Sequence, residues 1–161
     1  TRRNLALGLA CLPLATLPFP AHAARRIDVR DHGARGDGIA IDSPAINAAI
    51  LAASRGGGGT VILPRGRYLC FSIRLHSRVT LLLGEGVVIE AADPARHAGR
   101  YDLPEEGVDQ LYQDFGHSHW RNSLIWGDDV CEVAILGPGM IHGAGLTRDG
   151  PGARWKKRCA P

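Results

Sequence analysis

The residues of this chain whose types could do chemistry are two adjacent carboxylates, a pair of histidines and an aromatic cluster. Asp128 and Asp129 stand side by side within Gly127-Asp128-Asp129-Val130. Neighbouring carboxylates can divide acid and base roles, because the charge on one raises the proton affinity of the other. Apolar runs flank this pair on both sides, so a turn between strands is the plainer reading. His117 and His119 are two apart and can face the same way as metal ligands do, but no third ligand accompanies them, and neither a metal nor a cofactor is expected. Residues 112–120, Tyr-Gln-Asp-Phe-Gly-His-Ser-His-Trp, mix rings with polar groups. Apolar sugar faces stack on rings while hydroxyls need partners, so His117, His119 and Trp120 are the candidate substrate-binding residues. Gly56 to Gly59 lack a following Lys-Ser or Lys-Thr, and Gly137-Pro138-Gly139 is followed by no helix pattern, so both read as turns and not as phosphate cradles.

These residues must be carried by short strands. From Thr60 onward, apolar runs (60–63, 67–71, 73–75, 79–83, 87–91) are separated by gaps holding Gly, Pro, Ser or His. Val79-Thr80-Leu81-Leu82-Leu83 is continuous, not alternating, which predicts burial on both faces or nearly so, as in a parallel sheet. No helix of ten or more residues separates the runs. Parallel strands without crossover helices are what a coiled β-helix provides, each coil stacking on the one before. The theme returns at 123–126, 130–136 and 139–142, after a polar, acidic and aromatic interruption at 92–122 that reads as a long loop. Ahead of the strands, residues 27–38 predict a short strand and then a Gly and Asp turn. A helix over 45–53 follows, with Asp42 or Ser43 as its N-cap, Pro44 in its first turn, and Ile46, Ala49, Ile50 and Ala53 on one face.

Composition bounds the function. With 45% hydrophobic and 22% charged residues the chain is neither disordered nor a bundle of membrane spans, and its 21 glycines favour strands and turns. The net charge of +3 comes from the two ends, leaving a mildly acidic body with no basic face, so nucleic acid is not an expected partner. Residues 1–23 read as a removable signal peptide: Arg2 and Arg3, an apolar run too short to span a bilayer, then Ala21-His22-Ala23. Thr1-Arg2-Arg3-Asn4-Leu5 has the twin-arginine form, which predicts a periplasmic or secreted protein with no membrane attachment after cleavage. Residues 24–161 leave room for one domain at most. Of the four cysteines, Cys11 falls in the leader; Cys70 and Cys131 read as small core residues in strands, and one disulfide among Cys70, Cys131 and Cys159 stays open.

Several segments in order carry a family resemblance. VRDHGARGDG at 29–38, the helix at 44–54, GGGGTVILPRGRYL at 56–69, LHSRVTLLLGEGVVIEAADP at 75–94 and NSLIWGDDVCEVAILGPGMIHGAG at 122–145 resemble the opening of family 28 glycoside hydrolases, the polygalacturonase-like members of the pectate-lyase-like superfamily. The resemblance implies an all-β fold, a right-handed parallel β-helix with a short N-terminal capping helix. It also implies a pectin or related uronide as the partner, a monomer at full length, and inverting hydrolysis in which one carboxylic acid protonates the leaving oxygen while carboxylates opposite activate water. The family's Asn-x-Asp, Asp-Asp, Gly-His-Gly and Arg-x-Lys motifs lie in later coils. Asp128-Asp129, Gly116-His117-Ser118 and Arg154-Trp155-Lys156 imitate three of them in the wrong order, so no catalytic residue is assigned. The chain is therefore expected to hold N-terminal coils only and to be inactive alone. A pectate lyase or epimerase on the same coils, and a non-catalytic carbohydrate-binding module, are the competing expectations.

Overall fold

The computed structural model describes residues 25–103 and 121–143. In them, ten short strands and one α-helix, α1 (Ser43–Arg55), build three parallel sheets. The first sheet stacks β1 (Arg26–Asp28), β3 (Gly59–Leu63), β6 (Val79–Leu83) and β9 (Ala134–Leu136) in that order. The second stacks β2 (Asp37–Ile41), β4 (Gly66–Cys70), β7 (Val87–Ala91) and β10 (Met140–His142). The third pairs β5 (Ile73–Arg74) with β8 (Ile125–Trp126). Gly59 pairs with Val79 and Gly66 with Val87, so an uninterrupted coil takes about twenty residues, at the short end of solenoid repeats. The fold is a right-handed parallel β-helix, the hand that parallel crossovers take when right-twisted strands feed them.

Registered ladders of apolar side chains fill the column. Ile27, Val61, Leu81 and Ile135 stack through the first sheet, Tyr68, Ile89 and Ile141 through the second, and Ile73 and Ile125 through the third. Val61, Tyr68, Ile73 and Ile89 are fully buried. At its N-terminal end, α1 lies across the column, burying Ile46, Ala49, Ile50 and Ala53, the face expected from their helical spacing. The helix gives way to β3 through a glycine run. Gly58 has φ +119°, and a Cβ there would meet the Arg78 carbonyl oxygen at 2.7 Å, so only glycine fits this return.

Four local expectations are corrected. The Gly and Asp stretch read as turn ends in a strand, β2, because Asp37 and Ile41 pair with Arg67 and Leu69 of β4; between them the register shifts, where Asp37 Oδ1 accepts from the amides of Ile39 and Ala40. Asp42 stands at the N-cap of α1 but makes no capping bond. The runs at 79–83 and 87–91 alternate fully buried with half-buried residues, because sheets in a coil keep an outer face toward solvent. Cys70 is buried in β4 as expected, whereas Cys131 is exposed and outside any strand.

Candidate functional site

The third sheet presents an outward face beside the 92–124 excursion. Ile73 turns inward and Ile125 packs on the core, so their neighbours Arg74 and Trp126, a registered cross-strand pair, point outward. The edge of β5 that faces α1 is closed by one side chain: Asn47 Nδ2 donates to the Ser72 carbonyl at 2.9 Å, and its Oδ1 accepts from Arg74 N at 2.8 Å. On the other edge, Ile73 N and Leu75 N donate to the carbonyls of Leu124 and Trp126, each at 2.8 Å.

The excursion is tied at its neck. Ser72 Oγ donates to the Ser123 carbonyl at 2.9 Å and accepts from Asp102 N at 2.9 Å, so one buried hydroxyl joins the outgoing and returning chains. Tyr101 packs edge-on against Phe71, ring centroids 5.1 Å apart, and its hydroxyl donates to the Ala92 carbonyl at 2.7 Å. Burial pushes that phenol up to about 12, which keeps it a neutral donor. Asp102, the next residue, is thereby aimed at Arg74 and Trp126. Its Oδ2 accepts from Arg74 Nε at 2.8 Å and from the Trp126 indole N–H at 2.8 Å, and its Oδ1 accepts from Arg74 Nη2 at 2.5 Å. The Arg74 hydrogen bonds, with the Trp126 hydrogen bond and the Arg74 charge behind them, hold the Asp102 carboxyl below its ordinary value against the opposing effect of burial.

Around this knot lies an open concavity of about 300 Å³, lined by Arg74, Asp102, Leu103, Arg121 and Trp126. The Arg121 guanidinium carbon stands 5.5 Å from the Trp126 ring centroid, and Nη2 donates to Asp128 Oδ2 at 2.5 Å. An indole, two guanidiniums and a fixed carboxylate are donors, acceptors and an apolar plate suited to a sugar. A second polar cluster lies on the outer face of the second sheet, where Arg67 Nε donates to Glu90 and His142 is the registered neighbour of Glu90. Among the described residues, no three His, Cys, Asp or Glu side chains are grouped as metal ligands would be, and no helix is long and apolar enough to cross a membrane.

Of the sequence candidates, His117, His119 and Trp120 lie outside the described residues, as do the leader, Arg154-Trp155-Lys156 and Cys159. Asp128 and Asp129 form the turn between β8 and β9, with Asp129 at φ +47°, as expected. Sequence reasoning missed Arg74, Asp102, Arg121 and Trp126. Its one available signal was the outward alternation of Arg74 and Trp126 beside inward isoleucines, since the excursion hides the pairing between them.

Comparisons with known proteins bear on the family of the chain. A family model described as rhamnogalacturonase A/epimerase, pectate lyase-like, matches residues 26–123. Among solved structures, a hyperthermoactive exopolygalacturonase from Thermotoga maritima is similar at 28% identity and TM-score 0.54, over 74% of this chain and 25% of that one. The family 28 exopolygalacturonase of Yersinia enterocolitica is similar at 25% identity and TM-score 0.54, over 74% of this chain and 21% of that one. Among curated proteins, mannuronan C5-epimerase AlgE4 of Azotobacter vinelandii is 43% identical over 65 residues, 40% of this chain and 12% of its own length. The chain thus spans a small part of each relative.

Proposed function

We propose a function from one premise: this chain belongs to the rhamnogalacturonase A/epimerase, pectate lyase-like family. The protein it represents acts on a polysaccharide, and the reading we favour is hydrolysis of pectin-type polyuronides after export by a twin-arginine leader. The observation that carries this reading is the extent of the likeness: two exopolygalacturonases follow the same coils over 74% of the chain. The reaction would be inverting, with one carboxylic acid protonating the leaving oxygen and a carboxylate on the opposite face activating a water, the two standing roughly 6.5–9.5 Å apart to admit it. No such pair is assigned in these coils. Their part is to bind and orient, with the Arg74, Asp102 and Trp126 knot as a rigid floor beside the excursion.

One observation favours a second reading. The 43% identity to a mannuronan epimerase is higher than that to either hydrolase, although it spans only 65 residues. An epimerase inverts a sugar carbon without breaking the chain, so the two readings separate on products. The protein as its source makes it is incubated with polygalacturonate and with polymannuronate. New reducing ends from polygalacturonate without an unsaturated, ultraviolet-absorbing product are the expected result. Unsaturated ends would identify a lyase, and altered C5 configuration at constant chain length an epimerase.

A further inference from the structure

We propose that Arg25, Arg55 and Arg78 form an accessory docking edge for an extended polyuronide chain, outside the sheet-three concavity. The inference rests on the polyuronide reading and adds a surface that holds the polymer by its carboxylates.

The three arginines are far apart in sequence and border one bare strip. Gly56 to Gly59 lead from the end of α1 into β3 and carry no side chains to cover it, and Arg55 ends the helix beside them. The Arg25 guanidinium lies against Gly56, where a Cβ would meet its Nη1 at 2.9 Å, and the Arg25 carbonyl accepts from Thr60 N at 2.8 Å. Arg78 closes the strip from the opposite side, its carbonyl accepting from Gly59 N at 3.0 Å. The strand register sets Arg25 level with Gly59 and Arg78 level with Gly58, on the coils either side of β3, their main chains roughly 9–10 Å apart. On the next coil Glu132 stands level with Arg78 and ends the basic run. All three arginines are exposed. Among the described residues none of them is in an ion pair, whereas Arg67, Arg74, Arg96 and Arg121 each hold a carboxylate.

Two observations separate this edge from an ordinary solvated row of charges. Arg78 has φ +62°, a left-handed conformation that costs a residue with a side chain and that glycine adopts freely. Its amide donates to the Cys131 carbonyl and its carbonyl accepts from Gly59, bonds that any residue would make, so the turn does not require the guanidinium. The negative end of α1 accounts for Arg55 and Arg25, but not for Arg78 on the far side of β3. Unpaired like charges raise the local potential, which a polyanion lowers. Carboxylates recurring along a linear chain suit a file of cations that crosses the coils. An anionic bilayer suits it less, because none of the large exposed apolar residues lies on the strip.

The protein as its source makes it is titrated with polygalacturonate, with polymannuronate, with fully methyl-esterified polygalacturonate and with phosphatidylglycerol vesicles. Arg78→Gly is expected to bind the acid polymers about three- to fivefold more weakly while melting no lower than the parent, since the left-handed position favours glycine. Arg78→Lys keeps the charge and is expected to bind nearly as the parent does. Arg25→Gln and Arg55→Gln added to Arg78→Gly should weaken binding about tenfold or more, and the difference should close in about 1 M salt, where charges are screened beyond about 3 Å. The ester is expected to respond to none of these changes, and the vesicles to bind no variant. Unchanged binding of both acid polymers by the triple variant overturns the proposal, as does an equal loss toward the ester, or vesicles binding in place of the polymers. A lower melting temperature for Arg78→Gly also overturns it, because the arginine would then be holding the turn. The outcomes are separable from the hydrolase reading. Cleavage of polygalacturonate with no response in the variants removes this edge alone, whereas weaker binding by the variants without new reducing ends from the parent removes the hydrolase alone.

Discussion

Asp42 occupies the position from which a helix is usually capped, yet its carboxylate turns back to accept from the amides of Arg35 at 2.7 Å and Gly36 at 3.0 Å. The pull is a matter of supply: Pro44 has no N–H to offer and the Ile46 amide donates to the Asp42 carbonyl at 3.0 Å, whereas the preceding turn has two converging N–H groups beside a side chain only 2% exposed. Sequence reasoning offered Asp42 or Ser43 as the cap; Asp42 takes the position without the bond, because its partner set depends on a turn that the sequence pattern does not build. Asp42→Asn replaces one accepting oxygen with a donor facing another donor, and should cost about 1–3 kcal/mol, read as a lower urea midpoint at unchanged slope. Asp102 makes a pH prediction. Arg74 lowers its folded pKa below the unfolded value, so its contribution is fully present above about pH 4 and is lost as pH falls through the lowered value. Asp102→Asn should therefore flatten the acid limb of a stability-versus-pH curve below pH 4 while leaving its shape near neutrality. An unchanged acid limb would remove the ion pair from the stability account.

At the scale of elements, α1 serves as the coil that precedes β5. Its apolar face covers the column, and Asn47 supplies the donor and acceptor that a neighbouring strand would have given β5. An unpaired strand edge buried under a helix would leave polar groups unsatisfied, so one amide side chain makes the helix and the sheet compatible. Asn47→Ala should lower stability by about 1–2 kcal/mol through two lost bonds to backbone, and Ile50→Ala by about 2–5 kcal/mol through a cavity under the cap. A denaturation series in which Asn47→Ala is neutral would mean that water replaces the amide. The elements legible in the sequence were those with apolar runs and flanking turns: β6 and β7 match their expected bounds, and α1 differs by a residue or two. The segments misread were those whose structure depends on a neighbour. Residues 37–41 carry only Ile39 and Ile41 as large apolar groups and become a strand by pairing with β4; the 130–136 run shortens to β9 because its first residues turn, with Glu132 at φ +56°. The candidate site was less legible still, since Arg74, Asp102 and Trp126 meet only after the excursion closes on Ser72.

The two ends of the described column differ, and the difference has a consequence for the whole molecule. At one end α1 buries the ladders; at the other, Ile135 and Ile141, registered on the buried Leu81 and Ile89, are 38% and 45% exposed. Leu136 and Met140 beside them are more exposed still, and among the described residues β9 and β10 are paired on one side only. An edge with unpaired backbone and apolar side chains is a template for further strands. The 161-residue chain alone is therefore expected to self-associate, with a light-scattering mass that rises above 17.2 kDa as concentration increases. Charges on the outer face of that edge should oppose pairing without entering the column, so Leu136→Lys combined with Met140→Lys is expected to return the mass toward that of one chain while leaving the circular dichroism spectrum unchanged. A parent chain that stays monomeric at every concentration would mean that the edge is covered from within the molecule, and the double variant would then be expected to lose stability instead of gaining solubility.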